Sequence, residues 1–315
     1  MNTRVLALCG GVGGAKLALG LSHVVPPEEL TIAVNTGDDF EHLGLMISPD
    51  VDTVTYTLAG LSNTELGWGL AGETWGFMAA LKRLGGEDWF QLGDHDLATH
   101  IERTRRLAAG ESLSAITADL AKRLGVGPAI VPMSDDPVRT MLDTDEGTLA
   151  FQRYFVGRRA EPRVTAIRYD GAETARPAPA LLAALKDPAL EAVIVCPSNP
   201  WLSIAPLLAM PELRAALQQC AAPIVAVSPV IAGKAVKGPT AKLMAELGLP
   251  VTAHTVAAWY AEWLDGFLLD QEDAALAGEI SELGLAVDSV PSLMHTLNHK
   301  VALARWCLEF ARRLK

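Results

Sequence analysis

Several segments of this 315-residue sequence combine groups that bind phosphate and divalent cations. The first runs from Gly10 to Lys16, G-G-V-G-G-A-K, between a short apolar stretch and a helical pattern. Glycines permit a tight turn and bring backbone N–H groups close to an anion, and the following helix directs its positive end at the same place. The spacing is that of neither the dinucleotide fingerprint nor the P-loop, so it predicts a phosphate site without naming the ligand. A purely structural turn is the alternative. The predicted contacts are Gly10, Gly11, Gly13, Gly14 and Lys16.

Carboxylates follow the next predicted strand, in the segment Asn35-Thr36-Gly37-Asp38-Asp39. Mg²⁺ takes one or two carboxylates together with phosphate oxygens, so Asp38 and Asp39 are predicted metal ligands and catalytic residues. An Asx-type turn with solvated acids is the alternative. The sequence thus predicts a magnesium-assisted phosphate chemistry.

Two more carboxylates, Asp50 and Asp52, come shortly afterwards. In an extended segment they would point to the same side, and Asp52 could orient or deprotonate an attacking hydroxyl. A helix N-cap is the alternative reading of this pair.

Two loops in the C-terminal half, Cys196–Pro200 and Ser228–Pro239, follow apolar strand patterns. Their serine, asparagine and lysine side chains could hydrogen-bond and neutralise a diphosphate, although solvated lysines are the alternative. The predicted phosphate or nucleotide contacts here are Ser198, Asn199, Gly233, Lys234, Lys237 and Gly238.

The elements that must position these residues alternate between strand and helix. Val5 to Leu8, Thr31 to Val34, Ala192 to Val195 and Ile224 to Val227 read as strands, and Ala15 to Val25 reads as a helix. Nearly continuous apolar strands are typical of a parallel sheet covered on both faces. We therefore predict an α/β, Rossmann-like fold with a mostly parallel sheet, in which ligands bind outside the carboxyl ends of the strands.

The middle of the chain has weak strand signals and several helix-like stretches. We predict a mostly helical insertion at 53–155 that covers the active site, and a nucleotide-binding core formed by 1–52 and 156–315. Val164 to Tyr169 is expected to resume the strand pattern.

Composition restricts the partners. Thirty-seven acidic against 26 basic residues give a formal charge of −11, which disfavours nucleic acid and anionic membranes. The four cysteines lack metal-ligand spacing, and no apolar run approaches the length of a membrane span. We expect a cytoplasmic protein with reduced thiols.

The order of these segments resembles the 2-phospho-L-lactate transferase family, which also includes bacterial phosphoenolpyruvate transferases. The resemblance rests on seven blocks within the first 240 residues: Gly10 to Lys16, Asn35 to Asp39, Ile47 to Thr53, Leu92 to Thr99, Pro132 to Pro137, Pro197 to Pro200 and Ser228 to Pro239.

The resemblance implies a dimeric enzyme of coenzyme F420 biosynthesis that binds Mg²⁺, a guanosine diphospho-acid and the deazaflavin Fo. Asp38 would help to hold the metal, and Asp52 would contact Fo near its ribityl hydroxyl. Gln91 stands where archaeal members often have Lys or Arg, and would touch Fo by hydrogen bonding without the charge.

The expected reaction is attack of the ribityl hydroxyl on the phosphorus that bears the acid, with release of GMP. A non-catalytic nucleotide-sugar-binding regulator of the gluconeogenesis-factor-like type is the alternative. A nicotinamide-dependent oxidoreductase fits less well, because the second strand ends in Asn35 rather than an acidic residue. The sequence leaves the acid undecided among lactate, enolpyruvate and glycerate, since these differ by few atoms.

Overall fold

A computed structural model describes residues 4–235 and 238–315 of the chain. The strands, in chain order, are β1 (Arg4–Cys9), β2 (Leu30–Val34), β3 (Phe40–His42), β4 (Leu45–Ile47), β5 (Ala129–Pro132), β6 (Arg139–Thr144), β7 (Gly147–Ala150), β8 (Val164–Asp170), β9 (Leu190–Val195), β10 (Ile224–Val227), β11 (Val230–Ile231), β12 (Lys234–Ala235), β13 (Gly266–Asp270) and β14 (Ala286–Val290).

The α-helices are α1 (Gly11–Ser22), α2 (Pro49–Leu58), α3 (Gly76–Arg83), α4 (Asp96–Ala108), α5 (Leu113–Arg123), α6 (Pro179–Leu185), α7 (Ala205–Leu208), α8 (Pro211–Gln218), α9 (Thr240–Glu246), α10 (Ala253–Tyr260), α11 (Ala277–Ser281) and α12 (Leu297–Arg313). Short 3₁₀ turns lie at Pro27–Glu29 and Gln271–Leu276, and π-helical turns lie at Arg153–Gly157 and Pro200–Ile204.

Within the described ranges, seven strands form one sheet in the order β14-β13-β10-β9-β1-β2-β5. All of its neighbouring pairs are parallel. Strands β1 and β9 occupy the centre, and β1 pairs on its other side with β2. The predicted α/β, Rossmann-like fold is confirmed.

The sheet separates two apolar cores, and β1 shows why. Its alternate residues Val5, Ala7 and Cys9 pack into a core with α1 and α12, whereas Leu6 and Leu8 pack into the core on the opposite face. Successive side chains of a strand point to opposite faces, so a strand covered on both sides must be apolar throughout. This explains the continuous apolar pattern of the strand sequences.

The middle of the chain contains more strand than its sequence indicates. Helices α3, α4 and α5 lie in 53–155, as expected, but β5 from the same stretch is an edge strand of the central sheet. Strands β6, β7 and β8 form a separate, three-stranded antiparallel sheet in the order β7-β6-β8. The expectation that Val164 to Tyr169 continues the main sheet is therefore wrong, since β8 pairs with β6 instead.

Searched over the described residues, the chain has no helix that is both long and apolar enough to cross a membrane. All four cysteines are free thiols, and Cys9, Cys196 and Cys307 are buried.

Candidate active site

A cavity of about 580 Å³ opens at the carboxyl ends of the central strands. The loops that follow β1, β2, β9 and β10 all contribute to its lining, because parallel strands end at the same edge of a sheet. The glycine segment and the two C-terminal loops singled out in the sequence thus lie at one rim.

The glycine segment is locked against the loop after β9. Helix α1 begins at Gly11, so the segment is the first turn of a helix rather than a turn that ends at Gly14. The N–H of Gly10 donates to Ser198 Oγ over 3.1 Å, and Ser198 Oγ donates to the carbonyl of Gly10 over 2.9 Å. A Cβ on Gly13 would collide with the backbone carbonyl of Pro197. Only glycine at this position lets the two loops approach closely enough to share the cavity wall.

Asp50 lies in the first turn of α2 and faces the glycine segment. Its Oδ2 accepts a 2.9 Å hydrogen bond from Asn35 Nδ2, and the carboxylate also accepts from the N–H of Gly11. Burial raises the pKa of Asp50 to about 6, despite these donors. Burial disfavours the charge of this carboxylate, and a cation bound beside it would stabilise that charge.

Asp38 lines the cavity together with Asp50. Burial first, and then the charge of Asp50, hold the pKa of Asp38 well above its usual range. Its Oδ1 is buried, and the described residues provide it with no hydrogen-bond partner. Two carboxylates that repel each other, one with an orphaned oxygen, form a set that a divalent cation would neutralise.

Asp38 and Asp50 fit a Mg²⁺ ion that takes few of its ligands from the protein. Among the described residues, no three His, Cys, Asp or Glu side chains come together as a metal centre. A cation beside Asp38 and Asp50 would therefore take the rest of its coordination from water and from the oxygens of a bound phosphate, which is the usual arrangement for Mg²⁺.

The structure does not bring Asp39 and Asp52 to the cavity. Asp39 Oδ2 accepts from Ser48 Oγ over 2.8 Å, and burial raises the pKa of Asp39 to about 7. Asp52 points away from Asp50, because the segment is helical and not the extended one in which both carboxylates would share a side. Residues two apart in a helix face different directions, unlike those of an extended segment.

The carboxylate of Asp52 is engaged by the buried guanidinium of Arg103 from α4. Arg103 Nη1 also lies 3.3 Å from His100 Nδ1 and donates to the carbonyl of Met46 over 3.3 Å. Further along the same two helices, Tyr56 Oη of α2 donates to Asp96 Oδ1 of α4 over 2.5 Å. This network ties α2 to α4, so Asp52 supports the helix that carries Asp50.

Some of the other predicted contacts line the cavity and some do not. Those that line the cavity are Gly10, Gly11, Gly13, Lys16, Gln91, Ser198, Asn199 and Gly238. Three predicted contacts do not line the cavity. Gly14 packs on Cys9 and Ser198. Gly233 and Lys234 belong to the β11–β12 hairpin. Lys237 lies outside the described residues.

An aromatic wall faces the same cavity, and the sequence prediction missed most of it. We define it as Phe90, Gln91, Phe151, Gln152, Phe155 and Val156. The rings of Phe151 and Phe155 stack 5.4 Å apart at 9°. Arg153 lies over Trp89, 4.3 Å from the ring centroid, which joins the two parts of the wall. Trp68 also lines the cavity and is 44% exposed.

Comparison with known proteins places this arrangement in a family. Residues 5–286 match the model of 2-phospho-L-lactate transferase CofD. The chain is 41% identical to a phosphoenolpyruvate transferase of Kitasatospora aureofaciens over 99% of both chains. It is 37% identical to a 2-phospho-L-lactate transferase of Methanosarcina mazei, over 95% of this chain and 98% of that protein.

A crystal structure of a UPF0052 family member from Bacillus halodurans has the same fold, with a TM-score of 0.61 and 15% identity over 97% of this chain and 98% of that one. The alternating strands and helices, the glycine segment and the match over nine-tenths of the length lead to one conclusion: this chain belongs to the 2-phospho-L-lactate transferase CofD family and is a transferase.

Proposed function

We propose that this enzyme moves a phospho-acid group, phospholactyl, phosphoenolpyruvyl or phosphoglyceryl, from a guanosine diphospho-acid to the deazaflavin Fo with release of GMP. The reaction is a step of coenzyme F420 biosynthesis. The observation that carries the proposal is the pair Asp38 and Asp50 beside the glycine segment, in a cavity that also has an aromatic wall. Relatives named for transfer of phospholactate and of phosphoenolpyruvate support it.

The diphosphate is bound by the glycine segment. The glycine backbone in the first turn of α1 and the helix dipole favour an anion there. Lys16 adds positive charge from the same helix, and Ser198 and Asn199 close the rim on the β9 side. Asn199 is itself fixed, since its Oδ1 accepts from Trp201 and Leu202 N–H and its Nδ2 donates to Thr240 Oγ1 over 2.9 Å.

Asp38 and Asp50 are the residues that would hold Mg²⁺ in the cavity. The ion, when bound, neutralises the charge on the phosphate oxygens. The protein keeps Asp50 oriented through Asn35 and Gly11, and keeps Asp38 desolvated beside it. Such preorganised charge is where most of the rate enhancement in phosphoryl transfer arises.

The acceptor is the terminal ribityl hydroxyl of Fo. Its oxygen forms a bond to the phosphorus that bears the acid, the bond to the bridging oxygen breaks, GMP leaves with the electron pair, and the hydroxyl proton passes to solvent. A loose transition state needs little prior deprotonation of the nucleophile. The enzyme therefore works by alignment and charge neutralisation, and Asp52 is needed as a support for α2 rather than as a base.

The deciding experiment offers the three guanylylated acids separately with Fo and Mg²⁺ and measures GMP release and the mass of the product. Asp38→Asn should abolish turnover and leave the fold intact by circular dichroism. The control Asp170→Asn, an exposed residue paired with Arg168, should retain full activity. Near-normal GMP release by Asp38→Asn in excess Mg²⁺ would reject the assignment, and Fo-independent nucleotide binding without GMP release by the wild type would favour a regulator.

The enzyme is further proposed to act as a homodimer, and light scattering after size-exclusion chromatography measures this directly.

A further inference from the structure

Gln152 has a buried carboxamide that the fold does not use. Only 7% of the residue is exposed, and it lines the cavity within the aromatic wall. No hydrogen bond links its side chain to any of the residues that the structure describes, and its amide atoms are not sealed off from the cavity. A carboxamide with two donors and an acceptor at a cavity surface, none of them used within the described protein, is available to hydrogen-bond a ligand.

The neighbours of Gln152 show what kind of ligand that would be. Phe151 and Phe155 flank it in sequence and stack on each other, and Phe155 presents a face that is 38% exposed. Phe90 and Val156 add apolar surface to the same wall. A flat ring can rest against such a surface, and its polar edge must then meet a hydrogen-bonding group.

The other carboxamide of the wall is less available. Gln91 Nε2 donates to the carbonyl of Asp88 over 2.8 Å, and the residue is exposed. The two glutamines therefore differ, since one is anchored to its own loop and the other is held inside the cavity with every hydrogen-bonding group available.

We infer that Gln152 is a specificity-determining residue that reads the lactam edge of a flat heterocycle bound against Phe155. Its Nε2 donates to a ring carbonyl and its Oε1 accepts from the adjacent ring N–H. This inference rests on the proposed function, in which both substrates carry such an edge: the pyrimidine-dione side of the deazaflavin, and the N–H and carbonyl of guanine. The experiment below separates these two sources of the same chemistry.

The primary variant is Gln152→Leu, which keeps a similar volume and removes every hydrogen-bonding group. Loss of a paired carboxamide should weaken binding of one heterocycle by about 10-fold. Binding of Fo is followed by its fluorescence and binding of GDP with Mg²⁺ by calorimetry. A loss confined to Fo assigns the deazaflavin edge, and a loss confined to GDP assigns the guanine edge.

A methylated ligand tests the contact itself. Fo methylated on the ring N–H between its two carbonyls, or GDP methylated at guanine N1, should bind the wild type about 10-fold more weakly. The same methyl group should cost Gln152→Leu nothing further, because the partner is already gone. Additive losses would overturn the inference.

Stability distinguishes recognition from a structural role. Because the carboxamide has no partner in the protein alone, Gln152→Leu should melt at the wild-type temperature or above it. The surface variant Gln218→Leu serves as the matched control. A lower melting temperature with equal loss of both ligands, or unchanged affinity for both, would refute the role of Gln152. Failure of the wild type to bind Fo at all would instead refute the proposed function.

Discussion

Asp50 brings charge, burial and a neighbouring carboxylate together at the cavity wall. Its pKa is raised from 3.8 to about 6 by burial, so the folded protein holds this proton more tightly than the unfolded chain does. The protonated carboxyl therefore stabilises the folded state, and this contribution to the free energy of unfolding is lost as the pH rises through about 6. At pH 8 the ionised group opposes folding, and a bound cation would remove that penalty.

Asp50→Asn should therefore stabilise the ligand-free enzyme at pH 8 while abolishing turnover. The difference between 3.8 and about 6 corresponds to a gain of up to about 3 kcal/mol. Urea denaturation at pH 8, with Asp170→Asn as the control, measures the effect. A variant less stable than the wild type would show that Asp50 is needed for the fold itself.

The chemistry of single residues was partly readable from the sequence. The glycine segment, Asp38 and Ser198 line the cavity at the expected end of the sheet, because a short motif after a strand has a defined place in an open α/β sheet. Sequence reasoning favoured Asp52 as the functional carboxylate, but Asp50 is the one that lines the cavity, because a two-residue spacing does not reveal whether the segment is extended or helical. Gln152 carried no signal, since its importance depends on which residues surround it after folding.

The first turn of α2 is fixed by contacts on two sides. Asp50 faces Asn35 and the glycine segment, and Asp52 faces Arg103 on α4. Replacing one member of a buried ion pair leaves the other charged and unsolvated. The pair thus makes the position of a cavity residue depend on a helix that does not line the cavity.

Arg103→Leu should reduce the free energy of unfolding by about 3–5 kcal/mol, because it leaves Asp52 buried without its partner. Adding Asp52→Asn should restore much of that loss, which a double-mutant cycle by urea denaturation resolves. The exposed pair Arg168 and Asp170 offers a comparison, for which Arg168→Leu should cost less than about 1 kcal/mol. Similar losses for both arginines would contradict a special role for the buried pair.

Elements with strong periodicity were predicted well, and weakly patterned ones were not. The strands β1, β9 and β10 were recognised by continuous apolar residues, since both of their faces are covered. Strand β5 at the sheet edge was missed within a stretch read as helical. Strand β8 was recognised but given to the wrong sheet, because strand propensity does not identify the partner strand.

The cavity draws on the whole length of the molecule. Its lining includes Gly10 near the start of the chain, Phe90 and Gln152 in the middle, and Ser292 to Met294 before the last helix. A ligand that touches all of these bridges segments that lie far apart in the sequence.

GDP with Mg²⁺ should therefore stabilise the entire molecule, by about 2.7 kcal/mol at a concentration one hundred times its Kd. Hydrogen exchange should slow both around Gly10 to Lys16 and around Ser292 to Met294. Asp38→Asn should lose the Mg²⁺-dependent part of the thermal shift. Protection restricted to the glycine segment would indicate a ligand held by that segment alone.

The central place of β1 has a consequence for synthesis. The ribosome makes β1 before either of its neighbours, and β2 is complete at Val34, but β9 is complete only at Val195. Throughout that interval one edge of β1, which is apolar from Val5 to Cys9, has no neighbour. Such an edge in a nascent chain invites association with other chains. We therefore expect this polypeptide to depend on chaperones until its second half has emerged.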